Sequence, residues 1–324
     1  MKPNIAVIYG GFSSEYKISI QSGKNIASLI DKNKFNVWEV LITKKNWMVN
    51  EKYPINKEDF TFLINTKKIH FDAAIIVIHG TPGEDGILQS YFELISLPYI
   101  SCNPLASALT FNKFYCNYFL KSFGIDIAPS FIVRKNDNFE KIKKQVLTLG
   151  LPVFVKPNAG GSSFGTTKLK NINQLKDALY LAFNEANEVI IESFIKGREM
   201  TCGVLNINGK PKAMTPIEII SAHEFFDFEA KYNPKLNKEI IPAPIQEKYI
   251  TKIKQTSEKI YNLLNCDGIV RIDYILSENG KLYFLELNSI PGMTEASIVP
   301  KMANYDKISL TDVYTTMLEN IIKK

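Results

Sequence analysis

Between Arg271 and Ser297 the chain sets an arginine, two carboxylates and an amide at a spacing that could hold a metal ion against a phosphate. Two runs rich in β-branched and aromatic residues flank Asn279-Gly280, a dipeptide that favours a two-residue hairpin turn. With those two as the central turn residues, Asp273 faces Glu286 and Arg271 faces Asn288 on one side of the hairpin. The other side carries Ile272, Tyr274, Leu276, Tyr283, Leu285 and Leu287, an apolar surface meant for a core. Like charges directly opposite destabilise a strand pair, and a bound cation reverses the sign. Oxygen-only donors suit a hard ion such as Mg²⁺, which completes its shell with water and substrate phosphates. An isolated Asp–Glu pair is more simply a solvated strand face. The added Arg271 and Asn288, and the Pro291-Gly292 turn just beyond, move the reading to a metal–phosphate site.

A second stretch, PVFVKPNAGGSSFGTTKL, delivers Lys156 on a strand and follows it with a glycine- and serine-rich loop. Gly160, Gly161 and Gly165 let backbone amides come close to a ligand, and Ser162 and Ser163 add hydroxyl donors, an arrangement that suits phosphate. It lacks the G-x-x-x-x-G-K-[ST] pattern and is no Walker loop. The loop alone reads equally as a flexible hairpin tip; the lysine ahead of it favours phosphate. EVIIESFIKGRE ends a strand at Glu192 with Glu199 beyond, which could read an adenine amino group and ribose hydroxyls or be exposed acids at a strand end.

The elements that must position these groups are legible in outline. IAVIYGG and FDAAIIVIHG are unbroken apolar strands ending in glycine turns, the pattern of a parallel sheet buried on both faces. Ligands in such sheets bind beyond the carboxyl ends of the strands, which brings Glu15 and His79 to one edge. Each has a simpler role: a carboxylate favoured by a helix dipole, and a satisfied structural histidine. Ser13 or Ser14 is expected to cap a helix reaching Leu29, and Asn103-Pro104 to start one that runs to about Phe123, carries Lys113, and buries Leu109, Phe111, Phe114, Tyr118 and Phe119. NFEKIKKQVLTLG and EKYITKIKQTSEKIYNLLNC are amphipathic helices, and DVYTTMLENIIKK closes the chain as another. Residues 222–240 have no period but are rich in aromatics; such a segment reads as a lid and is expected to be nicked by protease in the free protein and protected by ligands.

With 324 residues, 45% of them hydrophobic, and a net charge of +6, the chain is a globular protein of two or three domains. Its lysines are spread out, with no basic stripe interleaved with aromatics, so nucleic acid is not expected. Cys102, Cys116, Cys202 and Cys266 lie far apart, against a zinc site and in keeping with reduced cytoplasmic thiols. The apolar run at the N-terminus is too short for a signal peptide, and none spans a membrane.

Taken together, GGFSSEYKISIQSG, HGTPGEDGILQ, VKPNAGGSSFG, FFDFEAKY and RIDYILSENGKLYFLELNSIPGMT resemble the ATP-grasp carboxylate–amine ligases, and within them the D-alanine–D-alanine ligase family, over nearly the whole chain. Pro82, Phe226 and Phe228 depart from the usual motifs and bear on substrate preference. The resemblance implies an α/β protein: an N-terminal open parallel-sheet domain (1–102), then a two-part ATP-grasp fold (103–196 and 197–324). It implies ATP-dependent ligation of two D-alanines, through an acyl phosphate, for peptidoglycan. Lys113 and Lys156 would meet the ATP phosphates, Glu192 and Ile195 the adenine, and Glu199 the ribose, with Ser163 and Lys231 also binding the nucleotide. Asp273, Glu286 and Asn288 would bind two Mg²⁺, with Mn²⁺ able to substitute. Arg271 and the Gly292 amide would stabilise the oxyanion; Glu15 would hold the first ammonium, with His79 near the first carboxylate, and Ser297 and Ile298 the second carboxylate. Glu15, Ser162 and Tyr232 would form one hydrogen-bonded set. Family members are usually homodimers. D-lactate or D-serine as second substrate is the nearest alternative, which Tyr232 disfavours; a nucleotide-binding regulator without catalysis is the other, against the intact Arg271, Asp273, Glu286 and Asn288.

Overall fold

The computed structural model describes residues 2–161, 164–207, 209–221 and 237–323. Three sheets carry it. The first has eight strands: β1 (Asn4–Gly10), β2 (Asn36–Ile42), β3 (Trp47–Val49), β4 (Tyr53–Asn56), β5 (Thr61–Ile64), β6 (Lys67–Ile69), β7 (Ala73–Ile76) and β8 (Tyr99–Ile100), in the order β6-β5-β4-β3-β2-β1-β7-β8. β2, β1, β7 and β8 run parallel, as the apolar runs require. The strands from Trp47 to Ile69 extend that sheet antiparallel, which the sequence pattern does not announce. Their short segments are tied by aromatic packing, with Phe60 and Phe62 buried and Trp47 edge-on to Phe60.

Helix α1 (Tyr16–Leu29) follows β1 and ends where expected, but neither serine caps it through its side chain; Glu15 occupies the N-cap. Ser13 Oγ instead donates to the His79 carbonyl at 2.7 Å, joining the two glycine turns. α2 (Ile87–Leu94) follows β7. The single helix expected from Asn103 to Phe123 is two, α3 (Pro104–Phe111) and α4 (Lys113–Ser122). Asn112 leaves the helix at φ −94, ψ 100 and caps α4 by accepting from the Tyr115 amide. The break shifts the buried stripe, so Cys116, Asn117 and Leu120 are covered while Tyr118 is exposed and Leu109, Phe111, Phe114 and Phe119 are half-buried.

The second sheet comprises β9 (Ser130–Arg134), β10 (Val153–Pro157), β11 (Thr167–Leu169) and β12 (Glu188–Ser193), ordered β11-β10-β12-β9 and backed by α5 (Phe139–Leu149) and α6 (Leu175–Glu185). The third has β13 (Gly197–Ile207), β14 (Lys210–Ala213), β15 (Ile217–Ser221), β16 (Asn237–Ile240), β17 (Ile269–Ser277) and β18 (Leu282–Asn288), with α7 (Glu247–Leu263), α8 (Ile298–Tyr305) and α9 (Leu310–Ile322). One core runs from β1 through α1 to α8 and α9, so the first and last parts of the chain pack as one body. Among the described residues no helix is long and apolar enough to cross a membrane.

β17 and β18 form the expected hairpin, with Asp273 opposite Glu286 and Arg271 opposite Asn288. Its turn differs. Ser277 pairs with Lys281 across a three-residue loop, with Gly280 at φ 77, a common alternative to the two-residue turn. That slips the register by one, so Tyr274 faces Phe284 rather than Leu285. A bulge between Asp273 and Tyr274 slips it back. Phe284 and Leu282 therefore enter the core beside Tyr274, while Tyr283 and Leu285, expected there, are only half-buried. Each large apolar side chain buried in this way contributes ~1.5–3 kcal/mol.

Candidate active site

The polar face of the hairpin is tightly partnered. Arg271 Nε and Nη2 hold Asp273 Oδ1 and Oδ2 at 3.0 and 2.8 Å, and Thr201 Oγ1 donates to Oδ1 at 2.5 Å. Asn288 Nδ2 donates to Oδ2 at 3.2 Å. Thr201 reaches Asp273 because β13 pairs antiparallel with β17, placing the two residues opposite each other. No local sequence signal could have found that partner.

The helix break delivers Lys113. Asn158, just past the end of β10, receives the Lys113 and Phe114 amides at its carbonyl and side-chain oxygens, and its side-chain amide donates to Asn112 Oδ1. The Lys113 ammonium then lies 2.7 Å from the Gly160 carbonyl and 3.5 Å from Glu286 Oε2. Lys156 Nζ, from β10, sits 2.6 Å from the buried Glu192. The rings of Phe154 and Phe194 pack at 6.1 Å in the wall of the same cleft, with Lys168 Nζ 3.9 Å over the Phe194 ring.

Lys113, Phe154, Lys156, Glu192, Phe194 and Glu286 wall a cavity of about 500 Å³, which also takes in Ile195, Glu199, Asp273 and Leu285. Arg198 and Glu218 line it too, joined by two hydrogen bonds of 2.6 and 2.7 Å. A second cavity, of about 310 Å³, holds Glu15, His79, Arg271, Asn288, Gly292, Ser297 and Ile298. Gly161 lines both. A Cβ on Gly161 would lie against the Glu15 carboxylate, which sets this loop beside the N-cap of α1. Of the expected site residues, Ser162, Ser163, Lys231 and Tyr232 lie outside the described residues, as does the lid apart from β16 at its C-terminal end. The Glu15–Ser162–Tyr232 set accordingly has only Glu15 among them.

Two carboxylates and an amide, with the Lys113 ammonium beside Glu286, are a donor set that fits a hard divalent ion in kind. Among the described residues no group of three or more His, Cys, Asp or Glu is gathered for a metal.

Ser297 is the N-cap of α8, yet its hydroxyl does not cap that helix; it pairs with Thr294 Oγ1 at 2.8 Å. The first amides of a helix have no partner within it, and they form a site for an anion such as a carboxylate.

Glu84 lies within HGTPGEDG, where its residue type alone suggests no role, and the fold gives it a place. Its Oε2 accepts from the Gly80 amide at 2.7 Å in the wall of the smaller cavity. Burial, then the nearby Glu15 charge, raise its carboxyl to about 8, while the Gly80 and Ile290 amides and Lys113 pull the other way. Burial lowers the His79 imidazole, against the raising effect of Glu15. Its Nδ1 lies 2.9 Å from the Ile290 carbonyl, to which the neutral ring donates. Nε2 is then an acceptor, and would donate to a substrate carboxylate only in the protonated form. A buried acid with a raised pKa stabilises the fold fully below about 4.5, and that stability drains as the unfolded chain ionises between about 4.5 and about 8. Neutral His79 slopes the other way below its ordinary 6.5, so the comparison must be with Glu84→Gln, which shares His79. Thermal melting from pH 5 to 8 should fall more steeply in the unmodified protein than in Glu84→Gln; identical slopes would contradict a protonated Glu84.

The chain is similar to known proteins over nearly its whole length. Family models described as D-ala D-ala ligase N-terminus and C-terminus match residues 4–102 and 119–319. The chain is 46% identical over 325 residues to the D-alanine–D-alanine ligase of Phocaeicola vulgatus, covering 99% of each. It is 44% identical to that of Azobacteroides pseudotrichonymphae, covering 98% of this chain and 99% of the relative. Among solved structures, D-alanyl-alanine synthetase A from Vibrio cholerae superposes with a TM-score of 0.90 at 28% identity, over 100% of this chain and 99% of the other. The VanG D-Ala:D-Ser ligase of Enterococcus faecalis gives 0.88 at 32% identity, over 99% and 100%.

Proposed function

Because the chain belongs to the D-alanine–D-alanine ligase family, we propose that it joins two D-alanines at the expense of ATP, making the peptidoglycan precursor dipeptide. The observation that carries this reading is the pair of cavities that share Gly161, with Asp273 lining the larger, Arg271 the smaller, and the two side chains hydrogen-bonded. The larger is of a size for a nucleotide, and the smaller is lined by both a carboxylate, Glu15, and the helix N-terminus at Ser297 and Ile298, groups suited to an ammonium and a carboxylate. We divide the chain at 102/103 and at 196/197, so that the nucleotide lies between the second and third units.

Glu192 and Ile195 read adenine, Glu199 holds the ribose, and Lys113 and Lys156 hold the phosphates, with Ser163 and Lys231 also binding the nucleotide. Asp273, Glu286 and Asn288 would hold two Mg²⁺ ions, or Mn²⁺ in their place, which would neutralise phosphate charge. A carboxylate oxygen of the first D-alanine attacks the γ-phosphorus and ADP leaves. The amine of the second D-alanine then attacks the acyl carbon, the C–N bond forms, a proton is lost from nitrogen, and phosphate departs. Arg271 and the Gly292 N–H stabilise the oxyanion, a large contribution in acyl transfer. Glu15 holds the first ammonium, supported by Ser162 and Tyr232, with His79 beside that substrate; Ser297 and the Ile298 amide take the second carboxylate. We place the enzyme in the cytoplasm as a homodimer, without nucleic-acid or membrane partners.

Incubation with ATP, Mg²⁺ and D-alanine, with and without D-serine or D-lactate, followed by weighing the products, tests the reading. ADP release that depends on D-alanine and a D-alanyl-D-alanine product are expected. A mixed product in preference to the dipeptide would point to D-serine or D-lactate as the acceptor. No D-alanine-dependent ADP would leave a nucleotide-binding regulator.

A further inference from the structure

We propose that Lys301 and Glu239 set the preference of the second subsite for an amino acid with a free carboxylate, an inference that rests on the ligase reading above. Lys301 lies one turn into α8, its amide directed to the Ser297 carbonyl at 3.3 Å. Side chains on a helix lean toward its N-terminus, so this lysine overhangs Ser297. It lines the same cavity as Ser297, Ile298 and Arg271. Its ammonium is 2.7 Å from Glu239 Oε2, on β16, and Glu239 lines that cavity as well. The Glu239 side chain is 14% exposed and that of Lys301 42%.

The physical consequence is an opposed pair of charges at the end of the cavity assigned to the second carboxylate. Lys301 attracts that carboxylate and adds to the partial positive charge of the helix N-terminus. Glu239 offsets the attraction and holds the ammonium to one side. Neither residue touches the reacting atoms; both act on which amine enters. A merely structural ion pair would make loss of either partner act in the same direction. The proposed arrangement makes the two losses act in opposite directions.

The test uses the full chain with ATP, Mg²⁺, D-alanine and an excess of D-alaninamide, whose amine can attack but which carries no carboxylate. The readout is the ratio of D-alanyl-D-alanine to D-alanyl-D-alaninamide by mass, a quantity that partial unfolding does not alter. Lys301→Met should lower the ratio about two- to fivefold, the scale of a partly exposed ion pair. Glu239→Gln should raise it, by about twofold on the same scale, and Lys301→Arg should keep it near that of the unmodified protein. A ratio unmoved by Lys301→Met, or moved the same way by Lys301→Met and Glu239→Gln, would overturn the proposal while leaving the ligase reading intact. Absence of D-alanine-dependent ADP in the unmodified protein would overturn that reading, and this inference with it.

Discussion

Glu286→Gln should lower D-alanine-dependent ADP release by about 10²- to 10³-fold, the scale of losing one large electrostatic contribution to a charged transition state. Glu286 stands opposite Asp273 across the hairpin and 3.5 Å from the Lys113 ammonium. The substitution keeps the shape and removes the charge that a bridging cation needs. The fold should survive. The two carboxylates repel across the strand pair, and relief of that repulsion offsets the lost attraction to Lys113. Melting without ligands should be unchanged or slightly higher, and the stabilisation of the protein by Mg²⁺ with a non-hydrolysable ATP analogue should shrink. Near-normal turnover at ordinary Mg²⁺ would remove Glu286 from the metal site.

Arg271→Lys should have the next largest effect, about 10²-fold or more on kcat with little change in KM for ATP. The guanidinium binds both oxygens of Asp273 through two nitrogens in one plane. A lysine ammonium is a point charge and cannot hold that fork while also serving the oxyanion role proposed above. Thr201 and Asn288 would still donate to Asp273, but both are neutral and neither replaces the lost planar fork. Steady-state kinetics separate the outcomes, since loss of an interaction made only in the transition state lowers kcat and kcat/KM together. A variant with raised KM and unchanged kcat would make Arg271 a substrate-binding residue and not the oxyanion partner.

Residue types and their order were enough to state the chemistry and much of the frame. Oxygen donors with an arginine at hairpin spacing, and a lysine ahead of a glycine-rich loop, are legible because residue type and strand alternation are local properties. The pairing of Asp273 with Glu286 follows from the sequence, yet for an incomplete reason. The three-residue turn at Glu278–Gly280 and the bulge beside Asp273 each move the register by one, in opposite directions. That Phe284 fills the core while Leu285 lines the cleft is settled by packing beneath the sheet, which selects between registers that the turn dipeptide leaves open. The helix break at Asn112 is of the same kind. Asn112 is a good cap residue, but ending a helix there is favourable because Asn158 supplies the partners for the next amides. Thr201 against Asp273, Glu84 under the Gly80 amide, and Lys301 against Glu239 are contacts between residues brought together by strand pairing, loop closure and helix docking. Their protonation and their energies depend on burial and on distances across the fold, and neither quantity is written in the order of the residues.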